Sequence, residues 1–492
     1  MHILGARRPS FATAPERRPS SHSAPSIAPS TRSRRSSHQF VLRDNESIIH
    51  PPEPYDPDDK DTQDDPDLKL FAYPFWAPEL ADVRKAYLIP VAMVTTFMCI
   101  VVWLFFGLYW ASLFNVSDRA ANLSGWIINR DNSTIGNALQ DALLAASGNR
   151  TVSWSSRDPA LYPSPADVMH AVDPNYDTWI VVDIAAGATD ALRRAQLSAD
   201  PAWDPASVVA MYYSDARSYQ TYPGMIISPT NAILAAASTR VVRQLAQQTF
   251  ANNASALAAT LRDAPHTLIG ALDVRAVNMH PWNNPVAIAP TFVGMIYLLI
   301  LAFQVTMASF MSRQAIKNHL TFRAYLAMRF CTPAVAYIFI SLMVSLINIA
   351  FELPYGASFS YGAGFMIWWC LSYTGMLVCG LALESVITII GPKFIGIFLI
   401  FFIISNVSVA NYPPEVMNRF FHYAYAMPFY QMRQVYTTIL FDTGKHIYIL
   451  KYFGILWAWM ALILLTMPFI VWIDYNRVRH SRLHGDGTAP SH

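Results

Sequence analysis

Cysteine is scarce in this 492-residue chain: there are four, Cys99, Cys331, Cys370 and Cys379. All four fall inside apolar runs, so there is no disulfide framework for a secreted scaffold, and no Cys/His grouping has zinc-site spacing. They read as small apolar packing residues. Charge is also sparse, at 14% of residues against 53% hydrophobic, which is too apolar for a soluble enzyme of this length. No G-x-x-x-x-G-K-[ST] loop is present; the nearest fragment, FDTGKH at 441–446, lacks the first glycine and the hydroxyl, so the chain has no recognisable ATPase of its own. A Ser/His/Asp constellation and a matched pair of acids are missing too. The chain is therefore read as a non-enzyme, with no catalytic residue, metal or cofactor.

What the chain has in quantity is long apolar runs. A hydrocarbon core about 30 Å thick needs roughly 20 mostly apolar helical residues per crossing. Six stretches meet that standard, near 87–108, 286–311, 330–351, 362–383, 394–410 and 453–473. They lack period-2 alternation, which argues for helices over barrel strands. The expected fold is a polytopic α-helical membrane protein with six transmembrane helices: a first helix over 87–110, an inserted domain, and a five-helix membrane domain over 286–473.

Basic residues collect at particular membrane edges. Arg84 and Lys85 precede the first run; Arg313, Lys317, Arg323 and Arg329 separate the second from the third; Lys393 follows the fourth; Arg477, Arg479 and Arg482 follow the sixth. The positive-inside rule puts all of these in the cytosol, with both termini inside. Arg419, Arg433, Lys445 and Lys451, on the opposite side in this scheme, run against it.

Residues 1–67 are rich in Ser, Pro and Arg and then turn acidic (EPYDPDDKDTQDDPD), a composition that cannot form a core. An Arg- and Ser-rich start also suits a mitochondrial transit peptide, but the downstream sugar-acceptor triplets favour a cytosolic tail. Ser10, Ser20 and Ser37 sit in Arg-Arg-x-Ser settings suited to phosphorylation, and the DPD triplets are acidic tail, not a metal site. Residues 68–86 mix Phe71, Phe75 and Trp76 with charge and suit a segment lying in the interface. Residues 474–492 form a second cytosolic tail.

The inserted region, 112–285, contains no Lys, Glu or Cys and holds five N-x-[ST] triplets, at Asn115, Asn122, Asn132, Asn149 and Asn253. Such triplets serve as glycan acceptors in lumenal domains, and Asn132, Asn149 and Asn253 stand far enough from the bilayer to be the stronger acceptors. A further triplet, at Asn406, lies within an apolar run. DTWIVVDIAAGATDALRRAQ reads as strand, turn at Gly187 and helix; SVVAMYYSD as strand; ISPTNAILAAASTRVVRQLAQQTFANNASALAATLRD as long Ala-rich helix; TLIGALDVRAVNMHPW as a returning strand and loop. The region is thus expected to be a glycosylated α/β extracytoplasmic domain between helix 1 and helix 2. Asp183 ends its strand where α/β enzymes often keep a catalytic group, but as a lone carboxylate it reads as a cap or turn residue.

Within the apolar runs, Ser341, Ser345 and Asn348 share one helix face at i, i+4 and i+7. Such a stripe either hydrogen-bonds to neighbouring helices or lines a transport path, with Gln304, Ser405, Asn406 and Ser408 expected to face it. Glu384 is placed at the cytosolic end of its helix, near water. Pro-punctuated, aromatic-rich residues 412–440 are expected to be outer amphipathic helices on or dipping into the membrane surface.

The start YLIPVAMVTTFMCIVVWLFFGLYW, the segment NLSGWIINRD, and MPFYQMRQVYTTILF, where Pro428 precedes a helix carrying Arg433, resemble the fungal nitrosoguanidine-resistance membrane proteins. That family in turn is similar to ABC-2-type exporter membrane domains and bacterial phage-infection proteins. The resemblance spans about 75–475. It implies an ABC-2-like plasma-membrane protein tied to resistance to toxic compounds and to lipid distribution, and it assigns no reaction. The expected function is export of small molecules or control of lipid distribution; the alternative is a non-transporting receptor or scaffold acting through its glycosylated outer domain. Expected partners are the lipid bilayer, amphipathic small molecules or lipids, a separate ATPase subunit docking on SRQAIKNHLTFRAYLAMRF, and a second copy of the chain; nucleic acid is not among them.

Overall fold

The computed structural model describes residues 74–483 apart from Asn149 and Asn252, with backbone only at Asn318, Val478 and 480–483. The expected tail 1–67, Ser10, Ser20, Ser37, the sugar acceptor Asn149 and the end of the 474–492 tail lie outside the described residues. The chain divides into two compact units, Met1–Arg84 and Lys85–His492. In the first, Arg84 lies over the Trp76 ring, 5.5 Å from its centroid, and donates to the carbonyls of Phe75 and Ala77.

In the second unit, α1 (Ala81–Leu113) leads into a five-stranded sheet. Its strands are β1 (Ser124–Asn129), β2 (Ser153–Arg157), β3 (Ile180–Ile184), β4 (Val209–Tyr213) and β5 (Val274–Asn278), in the order β2-β1-β3-β4-β5. Only the β3–β4 pair is antiparallel. Both faces are covered, which is why IVVDI and VAMYY read as continuous apolar runs. Ile127, Val182 and Met211 point into the larger core with α2 (Thr134–Ala146), α4 (Ala188–Leu197) and α5 (Ser228–Phe250). Ile128, Val181 and Tyr212 meet α3 (Pro165–Val172) on the other face. A capping box starts α3, Ser164 and Asp167 satisfying each other's backbone amides. The segment expected as one long helix is two: α5 ends at Phe250 and the shorter α6 (Ala254–Asp263) starts afresh with Asn253 as its cap.

The membrane part consists of α7 (Gly294–Gln314), α8 (Phe322–Ala350), α9 (Tyr361–Ile390), α10 (Ile395–Val407), α11 (Pro428–Phe441) and α12 (Ile447–Leu483). Among the described residues, six helices are long and apolar enough to cross a membrane. Five are the expected ones. The sixth is Tyr222–Phe250, the α5 helix of the sheet domain, which owes its hydropathy to alanines and to Leu234, Val241, Val242 and Leu245 buried against the sheet. The run expected to cross at 394–410 instead forms α10, whose 13 residues at about 1.5 Å each reach only about 20 Å.

The expectation for 412–440 is corrected as well. After α10 the chain turns through Pro414–Val416 and the 3₁₀ segment Arg419–Ala426 into α11, where all residues but Tyr430 and Gln434 are buried. α11 is a core helix, with Tyr436 stacked 3.8 Å from Trp368 and hydrogen-bonded to Ser372 at 2.8 Å. A half-length helix leaves space in the bundle, and α11 fills it.

Candidate functional site

Glu384 organises the end of the bundle remote from the sheet domain. On α9 it is 1% exposed, within 2.6 Å of Arg313 on α7 and 2.8 Å of Arg329 on α8. Arg329 also reaches the Glu384 carbonyl at 3.2 Å and the Thr388 hydroxyl. Asp474 on α12 lies 3.8 Å from Arg329 and accepts a hydrogen bond from Tyr325 at 3.1 Å. Four helices thus meet in one ionic cluster. This corrects the placement of Glu384 near water; Arg313 and Arg329, expected between the second and third apolar runs, are part of α7 and α8 and buried. The sequence shows the three charges; their meeting depends on helix packing across separations of 55 residues and more.

The stripe on α8 is buried: Ser341 and Ser345 are fully enclosed and Asn348 nearly so. Trp369 of α9 donates to the Ser341 hydroxyl at 3.1 Å, Ser345 donates to the Ser341 carbonyl at 2.7 Å, and Tyr355 donates to the Ser345 carbonyl at 3.3 Å. The Trp369 bond is interhelical, the Ser345 bond stays within α8, and Tyr355 reaches in from the segment after α8. Gln304 lies on the exposed face of α7; besides Arg313, that helix buries the polar Thr306, which reaches the Gly380 carbonyl at 3.5 Å. Ser405 and Asn406 bond to their own helix, and Asn406 also accepts from the Phe429 amide at 3.3 Å. The Ser408 hydroxyl is buried without a hydrogen-bond partner among the described residues. None of the three makes a hydrogen bond to the α8 stripe.

The break after α10 is pinned by Arg433. Buried in α11, its guanidinium donates to the carbonyls of Ala410 and Asn411, the latter at 2.7 Å, while no carboxylate pairs with it among the described residues. Carbonyls freed at a helix C-terminus are favourable partners for such a cation.

Alongside α10 runs an apolar groove of about 580 Å³, walled by α9 (Val378, Ala382), α10 (Phe398, Phe402) and α12 (Leu462), with Tyr423 at one end. Its hydroxyls are spent: Ser385 donates to the Leu381 carbonyl, Ser405 to Phe401, Thr466 to Leu462 and Tyr423 to Ser405. A second recess of about 530 Å³, lined by Phe97 and Phe105 of α1, shares Phe398 and Phe401 with it. Together they follow α10 from Phe394 to Tyr423. Glu384 and Ser385 are successive residues of α9, one in the ionic cluster and the other lining the groove.

A latch joins the sheet domain to the α11–α12 turn. Asp173 accepts from the Gly444 amide at 2.8 Å and from the Ser214 hydroxyl at 3.0 Å. Gly444 has φ 72° and its Cα approaches Tyr176 so closely that a Cβ would stand 2.8 Å from the phenol oxygen. Burial pushes the Asp173 carboxyl above its ordinary range, against the opposing pull of the Gly444 amide, His280 and Arg217. Asp183, expected as a cap or turn residue, forms an ion pair with Arg130 at 2.8 Å. Beside it, Asp131 accepts from the amides of Gly136 and Thr189 at the starts of α2 and α4. The crevice at the ends of parallel β1 and β3, where α/β sheets bind ligands, is thus filled by the chain's own carboxylates.

Of the sugar-acceptor asparagines, Asn115, Asn122, Asn132 and Asn253 are exposed. Asn253 caps α6, its Oδ1 accepting from the Ala256 amide, and the Asn122 Nδ2 donates to the Glu415 carbonyl at 2.7 Å. The same triplet also begins at Asn45, ahead of the described residues, and at the buried Asn406, so the pattern alone does not single out the sheet domain.

No solved structure matches this chain. An uncharacterized endoplasmic reticulum membrane protein of Saccharomyces cerevisiae is 23% identical to it over 439 residues, covering 80% of this chain and 82% of the relative. These matches name no activity, and they mention neither nitrosoguanidine resistance nor exporter membrane domains. With a family model matching residues 94–465, which include the bundle, the groove and the sheet domain, this membrane protein belongs to the family described as "Protein of unknown function (DUF3533)".

Proposed function

We propose that the chain moves amphipathic small molecules or lipids, or controls their exposure, with a hydrocarbon chain lying in the groove along α10. The groove carries this reading. It is sized for a ligand, almost wholly apolar, and built from side chains whose polar atoms are already bonded, so it rewards occupation by hydrocarbon and by little else. Its position beside a half-length helix supports the reading, because broken helices in transporters mark the place where substrate sits. The ionic cluster, joined to the groove through the successive α9 residues Glu384 and Ser385, is the element that a docked ATPase subunit would bias. The ABC-2-like relationship and resistance to toxic compounds belong to the same proposal.

In this reading the sheet domain is extracytoplasmic and glycosylated, both termini are cytosolic, and the chain resides in a membrane of the secretory pathway. The resemblance favours the plasma membrane, the relative's printed location the endoplasmic reticulum; fluorescence microscopy of the tagged chain distinguishes them. Function is tested by reconstituting the chain in vesicles and following the exposure of a labelled phospholipid to an impermeant quencher, with and without ATP. Wild type should accelerate exposure, and Ala382→Trp, which fills the groove, should return it to the protein-free rate. Equal rates for wild type and empty vesicles would sink the proposal.

A second reading, a receptor or scaffold acting through the outer domain, draws on that domain's two cores of its own. It would be favoured if Ala382→Trp leaves resistance to alkylating compounds intact in cells while removal of the sheet domain abolishes it.

A further inference from the structure

We infer that the trough between α5, α6 and the segment leading to β5 binds a single-chain lipid with a monoanionic head, in chemical terms a long-chain carboxylate. The inference does not rest on the groove along α10 or on the transport reading. The trough holds about 710 Å³ and is walled mainly by apolar groups, Val242, Phe250, Leu257 and Leu268 among them. A methylene takes up about the volume of a water molecule, ~30 Å³. A chain of some 16 to 18 carbons therefore needs roughly 500 Å³ and a pair of chains roughly 1,000 Å³. One chain fits within the trough.

Arg243 and Gln247 supply the head-group chemistry. They are four residues apart on α5, so they share a face, and both line the trough. Both side chains are exposed, and neither makes a hydrogen bond or ion pair among the described residues. The nearby carboxylates are occupied: Asp263 pairs with Arg262 at 2.8 Å, and Asp273, next after the lining residue Leu272, accepts from the Val274 amide at 2.8 Å. A guanidinium left free beside an apolar trough, with a carboxamide one turn away, offers convergent donors to an oxyanion. One cation matches a single negative charge and leaves a doubly charged phosphate monoester undercompensated. On the rim, Ile269 stands 80% exposed, an apolar side chain that an occupant's hydrocarbon would cover.

The test uses the full chain in nanodiscs with a photoactivatable palmitate analogue, and maps the cross-linked peptides. The expected result is labelling within 235–272, competed by oleate at about one tenth the concentration of oleyl alcohol, and weakened about tenfold by Arg243→Gln, since a charge-assisted hydrogen bond is lost. Ala246→Trp, which fills the trough, should remove the labelling, with Leu268→Trp as a second filling variant should the first fail to fold. Labelling confined to the membrane helices would overturn the assignment. So would equal competition by oleate and oleyl alcohol with Arg243→Gln unchanged, or preferential competition by lysophosphatidate.

Discussion

Glu384 is the residue on which most charge depends. Removing one partner from a buried, paired set strands the others, which costs about 3 kcal/mol or more. Glu384→Gln should therefore lower the stability of the detergent-purified chain by that order. Asp474→Asn should cost less than about 1 kcal/mol, because its carboxylate is 31% exposed and stands 3.8 Å from Arg329. Equal shifts in thermal melts would refute this ranking. Asp173 makes a prediction in pH. Its carboxyl is pushed up by burial, so the folded domain binds the proton more tightly than the unfolded chain. The resulting stability is fully present below the ordinary Asp pKa and is lost as pH rises through the higher folded one. Asp173→Asn should remove that slope in a melting series run upward from about pH 4; an unchanged slope would assign it to another group. Neither residue could be understood from its neighbours in sequence. Glu384 reads as one charge near a helix end, and Asp173 as one of many acids.

At the scale of elements, helix length and helix contact govern the bundle. α10 is short because its apolar run ends in Ser405, Asn406 and Ser408 and is soon followed by Pro413 and Pro414, and two adjacent prolines do not continue a helix. Length alone was legible there; that Arg433 would close the broken end, and α11 occupy the space beside it, was not. Polar residues and prolines between 412 and 440 suggest an interfacial helix only while their partners are unknown. Once Gln431, Arg433 and Thr437 find carbonyls, burial becomes affordable. The α8–α9 contact makes a further prediction. A Cβ on Gly380 would stand 2.1 Å from the Tyr337 hydroxyl, which itself donates to the Ala302 carbonyl at 3.2 Å. Gly380→Ala should destabilise the chain by about 1–3 kcal/mol from overpacking. Tyr337→Phe should recover only part of that loss, because the ring carbons Cζ and Cε2, which stay in Phe, would also stand within 3.0 Å of the new Cβ; additive losses in the double variant would mean that the two residues do not meet.

For the whole molecule, the proposed location of the sheet domain is tested by whether its acceptor asparagines carry glycans. In the proposed topology, Asn132→Gln and Asn253→Gln should each remove one glycan-sized step on gels of the native protein. Asn122→Gln should remove none, because its amide nitrogen is committed to the Glu415 carbonyl. A deglycosylation treatment that leaves mobility unchanged would place the domain on the other side. By itself the amino-acid sequence determined that this is a membrane protein with a polar α/β insertion. Hydrophobic run length and strand or helix periodicity are local properties, legible wherever burial is uniform along a segment. It also showed the shared face of Ser341, Ser345 and Asn348, since helical geometry alone aligns them. Only the tertiary structure decided that this face is bonded to α9, that α5 belongs to the sheet despite its hydropathy, and that Arg313, Arg329, Glu384 and Asp474 meet. Apolarity does not say whether a helix is to be covered by lipid or by a sheet, and charge pairing between distant helices depends on their rotation and depth, which are set by packing among all of them at once.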